Sequence, residues 1–215
     1  MLTLYDYILH DDCYKIRLLL AMLQVPYQPA KIDVHPGRDN ETPAFLALNP
    51  LGRIPVLVDE QIVLRESQAI LTYIAMTYDP SRTWLPQDAE TASRIAQWLA
   101  FAGHDLVPLS RVRSHVLFGW EPELDVEEVR GRARFAMEIV EDHFAEGEIL
   151  GRRWCVADHP TIADVALFPP LALAAEADMP FEPFPATWRW IDRFKRLPRF
   201  TVMPGILPLL PGVAA

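Results

Sequence analysis

The sequence predicts an α/β layer followed by an all-helical half. Three observations carry this. Strand-like and helix-like segments alternate through the first 78 residues. A stretch crowded with turn formers and breakers follows. Beyond it strand signals vanish and long helical stripes take over. The expected division is a first domain over 1–78, a linker over 79–88 and an all-α domain over 89–215.

Each element has a local reason. Leu2-Thr3-Leu4-Tyr5 reads as a strand. Ile16, Leu19, Leu20 and Leu23 fall at i, i+3, i+4 and i+7, the stripe of an amphipathic helix. Pro26 ends that helix and opens a second strand, Tyr27 to Val34. After a loop with His35-Pro36-Gly37, Pro43 to Leu48 reads as a short helix stopped at Asn49-Pro50. Val56-Leu57-Val58 and Ile62-Val63-Leu64 form a hairpin around a turn at Asp59-Glu60. Ser67 to Tyr78 is helical, with Ile70, Leu71, Ile74 and Ala75 on one face. The order βαβαββα implies parallel pairing at its start.

In the second half, Ile95, Trp98, Leu99, Ala102, Leu106 and Leu109 give one long helical stripe, kinked at Pro108. Val126 to Leu150 is a second long helix with Glu and Arg on its outer face. Thr161-Ile162-Ala163-Asp164 is a helix start. Thr161 can cap the Asp164 amide, and the carboxylate can return the bond. A further helix runs from about Pro185 to Arg196, in a half expected to hold about five. The apolar, proline-rich tail, Pro204 to Ala215, is expected to pack loosely along the surface.

Composition narrows the function. Hydrophobic residues make up 51% of the 215, enough to bury a core and exclude a disordered chain. The charge of 20 − 29 = −9 repels nucleic acid and anionic membranes, so neither is an expected partner. The longest apolar run, Val165 to Ala175, is too short to span a bilayer and contains Pro169 and Pro170. The N-terminus lacks the basic region and cleavage site of a signal peptide. Cys13 and Cys155 form no disulfide framework or zinc pattern, and the six histidines form no metal-binding pair. A reducing cytoplasmic location and no metal are expected.

Two short motifs carry chemistry. In Asn49-Pro50-Leu51-Gly52-Arg53-Ile54-Pro55, a proline stands at the entry to a strand. If its peptide bond is cis, the Ile54 backbone turns outward and can pair with an extended peptide; trans is the ordinary state. In Arg65-Glu66-Ser67-Gln68, a helix start offers amides and a hydroxyl to a carboxylate, and Glu66 offers its own carboxylate to an ammonium. Together they suit an α-amino acid group, although an ordinary serine cap would look the same.

In combination these motifs resemble the cytosolic glutathione S-transferases, in particular their bacterial, theta-, nu- and beta-like members. The resemblance covers nearly the whole chain. It implies a thioredoxin-like N-terminal domain, a helical C-terminal domain, a homodimer and a glutathione co-substrate. It implies a cis Pro55, backbone pairing of Ile54 with the cysteinyl unit, Glu66 and Ser67 on the γ-glutamyl end, and Arg53 toward the glycyl carboxylate. Arg38 or Asn40 could assist. A small hydrophobic electrophile would sit between the domains, near Phe101, His104, Leu106, Arg111, Arg113, Val116 and Phe118. Arg113 would attract acidic electrophiles or glutathione itself.

The chain departs from the family where the thiol is activated. Relatives often read Ser-Gly-Asn-Cys-Tyr-Lys where this chain has His10-Asp11-Asp12-Cys13-Tyr14-Lys15. That puts His10 at the activating position, with Tyr7 second and Cys13 third. A His10 N–H would stabilise a thiolate, while Asp11 and Asp12 would oppose it. Thiol conjugation is the expected activity. A non-catalytic interaction protein on the same fold, or a glutathione-dependent disulfide reductase, are the alternatives.

Overall fold

A computed structural model describes residues 1–207. The chain runs β1 (Thr3–Asp6), α1 (Asp11–Leu23), β2 (Gln28–Lys31), α2 (Pro43–Leu48), β3 (Val56–Asp59), β4 (Ile62–Arg65) and α3 (Ser67–Tyr78). It continues through α4 (Ala89–His104), α5 (Val107–Phe118), α6 (Val126–Ile149), α7 (Ile162–Ala172) and α8 (Pro185–Lys195). This is the thioredoxin-like layer followed by a helical half.

The sheet order is β2-β1-β3-β4. β1 pairs parallel with β2 and antiparallel with β3, so the crossover through α1 returns on the same face. Leu4 and Leu57 sit opposite each other and are fully buried under α1 and α3. α1 is wedged between α3 and α7. That is why Leu18 is buried along with the predicted stripe of Ile16, Leu19 and Leu20. A helix covered on two sides needs a wider apolar face than one stripe.

α7 is the centre of the helical half, buried from Ile162 to Leu171. The reciprocal cap forms: the Thr161 amide donates to Asp164 Oδ2 at 2.9 Å, and the Thr161 hydroxyl accepts from the helix amides. Asp164 Oδ1 also accepts from the Cys155 amide at 2.9 Å and from Trp190 Nε1 at 3.1 Å. A folding feature therefore ties α7 to α8. Phe168 stacks on Phe194 at 4.3 Å and Phe144 on Trp190 at 4.7 Å, seating α8 on α6 and α7.

Several expectations are corrected. The stripe from Ile95 to Leu109 is two helices, broken at Asp105–Leu106. Pro108 lies in the first turn of α5, where amides have no intrahelical acceptor and proline is tolerated. The second strand ends at Lys31 and not at Val34, because the following segment turns away: the Asp33 amide donates to Asp39 Oδ2. The hairpin turn is Glu60-Gln61, with Glu60 left-handed at φ 54°. Of the expected tail, Pro204, Gly205 and Leu207 lie exposed at the surface and Ile206 is anchored in the core. Met203 and Ile206 are buried, and Tyr14 donates its hydroxyl to the Thr201 carbonyl. Residues 208–215 lie outside the described part. Among the described residues, no helix is long and apolar enough to cross a membrane.

Candidate active site

The site forms where the N-termini of α1 and α3 meet at one end of the sheet. His10 is the N-cap of α1. Its Nδ1 accepts from the Asp12 amide at 3.2 Å, a donor shared with Asp11 Oδ1 at 3.0 Å. A lone pair on Nδ1 leaves the proton of the neutral ring on Nε2, available as a donor. Ser67, the first residue of α3, is buried and donates its hydroxyl to Asp12 Oδ1 at 2.8 Å and to Gln68 Oε1 at 3.1 Å. Lys15 Nζ, also buried, bonds the same Asp12 oxygen at 2.6 Å. Two helix N-termini thus converge on one carboxylate.

Burial alone would push the Asp12 carboxyl up. The charge of Lys15, then that of His10 once its ring is protonated in acid, with hydrogen bonds from Lys15 and Ser67, outweigh it and hold the group down at about 2. His10, Asp11 and Asp12 bring ligand-type atoms within 4.8 Å of one another. Both carboxylates already accept from neighbours, Asp11 from Ser110 and Asp12 from Lys15 and Ser67.

The second half of the site is the loop before β3. The Ile54–Pro55 bond is cis. Among the described residues, neither the Ile54 N–H nor its C=O takes a backbone partner. Asn49 Nδ2 donates to the Arg53 carbonyl at 2.6 Å and Asn40 Nδ2 to the Gly52 carbonyl at 2.8 Å. These bonds fix the approach to Ile54. Arg53 and Glu66 are exposed on either side. Arg38 is bonded to Glu41 at 2.8 Å, so its charge is already matched. A second cis bond, His35–Pro36, was not foreseen.

Cys13 packs with Phe45, Ile54 and Val56 and is fully buried. Burial, with the Asp6 charge next, pushes its thiol well up. It is a core residue and no nucleophile. Tyr7 donates its hydroxyl to the His35 carbonyl at 3.3 Å. Burial, then Asp33, raises its phenol. Its ring lies in an aromatic group with Phe118 (6.3 Å), and Phe118 in turn meets His35 (5.3 Å) and Trp120 (5.0 Å).

The residues expected to line the second-substrate site do not act as one set. Arg113 is buried, bonded to Glu176 and to the Leu9 carbonyl, and so corrects its expected role as a free cation. Arg111 pairs with Glu121 and lines a groove of about 520 Å3 at the start of α6, whose lining does not include Ser67. Phe101 packs edge-on against Trp98 at 5.2 Å, Leu106 is buried core, and His104 and Val116 are exposed. Of this set, Phe118 borders Tyr7. Another groove, of about 380 Å3 between Pro108 and Phe135, is lined by residues from the end of α4 to α6 and by none of α1. Sequence reasoning missed Lys15 and Ser110 as site residues. Lys15 was readable, since it stands three residues after Asp12 on the same helical face.

Comparison with known proteins identifies relatives of the whole chain. Residues 1–76 match the glutathione S-transferase N-terminal domain and residues 125–193 the C-terminal domain. The chain is 31% identical to a maleylacetoacetate isomerase from Pseudomonas aeruginosa, over 93% of each. It is 29% identical to glutathione S-transferase 3 from Zea mays, over 98% of this chain and 96% of the other. Among solved structures, a possible glutathione S-transferase from Rhodopseudomonas palustris superposes with a TM-score of 0.84 at 30% identity. It covers 94% of this chain and 97% of the other. Ure2p in complex with glutathione superposes at 0.81 and 25% identity, over 92% and 95%.

Proposed function

The chain belongs to the glutathione S-transferase family, and we propose that it holds glutathione between Ile54 and Ser67 and presents the thiol to the first turn of α1. The observation that carries this reading is the meeting of the Ser67 hydroxyl with that turn, at 2.8 Å through Asp12. Amino-acid clamp and thiol-activating segment are then one continuous surface.

The roles follow from the donors and acceptors. The Ser67 hydroxyl and the free amides of α3 take the γ-glutamyl carboxylate, and Glu66 takes the ammonium. The Ile54 N–H and C=O pair with the cysteinyl unit as an added strand would. Arg53 reaches the glycyl carboxylate. His10 Nε2–H and the α1 dipole stabilise the thiolate sulfur. The thiol gives its proton to solvent. The sulfur then forms a bond to the electrophilic carbon, which either expels a leaving group with its bonding pair or gives up its π bond to the neighbouring atom, and that atom takes a proton from solvent.

The electrophile is proposed to be uncharged and flat. Arg111 and Arg113, the two arginines nearest in sequence to the expected cleft, are already paired with Glu121 and Glu176. The rim beside Tyr7 is aromatic, with His35, Phe118 and Trp120. A homodimer is also proposed. β4 is an edge strand with Ile62 and Val63 exposed, and Met76 of α3 is exposed nearby. Sedimentation should give twice the chain mass of 24.5 kDa.

Titration calorimetry with glutathione tests the clamp. Saturable binding should weaken about tenfold in Ser67→Ala, the loss of one charge-assisted bond. His10→Ala should keep its affinity and lose about 10²-fold in conjugation rate, as removal of a transition-state donor does. No saturable binding at millimolar glutathione would sink the reading and leave an interaction protein on the same fold.

A further inference from the structure

The segment from Tyr7 to His10, which joins β1 to α1, is held by its carbonyls. Arg17 donates to the Tyr7 carbonyl at 3.4 Å and to the Ile8 carbonyl at 3.0 Å. Arg113, from α5, donates to the Leu9 carbonyl at 2.7 Å. One turn earlier on α5, the Ser110 hydroxyl donates to the Asp11 carboxylate. Leu9 and Asp11 flank His10, so one face of α5 grips the chain on both sides of it. Residues three apart on a helix share a face, which lets Ser110 and Arg113 act together.

The charged groups at this grip are shielded, and the charge of Arg113 is matched. The side chains of Arg113 and Asp11 are only 5% and 7% exposed. Arg113 Nε bonds Glu176 Oε2 at 2.6 Å, so the guanidinium adds no net charge here and acts through geometry. Glu176 belongs to the same helical half as Arg113. The bond that crosses to the sheet layer is therefore the one to Leu9. Behind Glu176 stands Gly205, left-handed at φ 91°, where a methyl group would overlap the Glu176 carboxylate.

We propose that Ser110 and Arg113 are positioning residues, which set the His10 ring against the thiol from the helical domain. This rests on the reading that the α1 cap activates glutathione. A cap free to turn would still leave the clamp at Ser67 and Ile54 in place. Binding and thiol ionisation should therefore separate.

The experiment compares the full-length protein with Ser110→Ala, Ser110→Thr and Arg113→Met. Glutathione affinity is measured by titration, thiolate formation by ultraviolet absorbance against pH, and kcat/KM against pH. The expected result is a Kd within about threefold of wild type, under 1 kcal/mol. The thiol pKa should rise toward the ordinary value of about 8.5. The kcat/KM should fall about ten- to hundredfold, as for misplacement from outside the reacting centre. Ser110→Thr, which keeps the hydroxyl, should restore both. Variants that ionise bound glutathione as wild type does would overturn the inference while leaving the function intact. A wild type that binds glutathione without lowering its thiol pKa would overturn both. If Arg113→Met does not fold, Ser110→Ala decides alone, since it removes one oxygen at a half-buried position.

Discussion

Replacing Asp12 by asparagine separates two roles of one carboxylate. In the free protein Asp12 accepts from Lys15 and from Ser67, at 2.6 and 2.8 Å. It therefore occupies the hydroxyl that the γ-glutamyl carboxylate would take in the proposed complex, and it balances the charge of a buried lysine. The Asp12→Asn variant would loosen both contacts. A hydrogen bond to a charged group is worth about 1.5–3 kcal/mol and one to a neutral group about 1 kcal/mol. The difference freed for the ligand is about 1 kcal/mol, or about fivefold tighter glutathione binding. Lys15, released from its partner, would favour the incoming carboxylate as well. Stability moves the other way. The Asp12 side chain is 36% exposed, which screens the pair, but Lys15 is 3% exposed and loses its carboxylate, so the loss is about 2–3 kcal/mol. For a chain of this size that is about 4–12 °C in Tm. The carboxyl is depressed from 3.8 to about 2 on folding, so its stabilisation is present above 3.8 and disappears as pH falls through about 2. The Tm gap between wild type and Asp12→Asn should close over that window. Calorimetric titration at neutral pH is the deciding assay. Binding that is equal or weaker in Asp12→Asn would refute the competition between Asp12 and the ligand for Ser67.

Two further substitutions test the rest of the structure. Tyr7→Phe should change kcat/KM by less than about threefold, because its hydroxyl is bonded to the His35 carbonyl and its phenol is raised by burial and Asp33. A loss of tenfold or more in steady-state conjugation would return Tyr7 to the activating role. Glu141→Ala should lower the midpoint of thermal unfolding without changing glutathione affinity. Its carboxylate caps α8 through the Ala186 and Thr187 amides, both at 2.8 Å, and such a cap is worth about 1–2 kcal/mol. An unchanged melting curve would show that α8 is held by its aromatic stacking alone.

The parts of this fold that were legible are those set by neighbours in sequence. The α1 stripe, the short α2 before Asn49, the hairpin and the Thr161 cap each need only a few residues to specify them. α7 shows the limit of that. Every residue from Ile162 to Leu171 is buried, so its hydropathy has no period, and Pro169 and Pro170 persist inside the helix. Residue type there says only that the segment is inside. The break between α4 and α5 was hidden for a related reason. The buried residues Leu106 and Leu109 continue the α4 spacing across it, and a proline reads the same whether it kinks one helix or begins another.

Arg113 is the most informative failure. Leu106, Leu109 and Arg113 stand at i, i+3 and i+7, so the spacing already placed an arginine on a buried stripe. A buried guanidinium requires a carboxylate partner and satisfied donors, because leaving either out costs several kcal/mol. An arginine at such a position could not have been a free cation waiting for substrate. Local spacing could not name the partners. Glu176 lies 63 residues downstream within the helical domain, and the Leu9 carbonyl lies 104 residues upstream and is reached only once the two domains dock. The same docking puts Ser110 beside Asp11, 99 residues apart. What the helical domain contributes beside His10 therefore comes through contacts 99 and 104 residues apart in sequence. That is why the cis Ile54–Pro55 turn and the helix start at Ser67, the parts of the proposed clamp, could be read from short motifs, while the grip on either side of His10 could not.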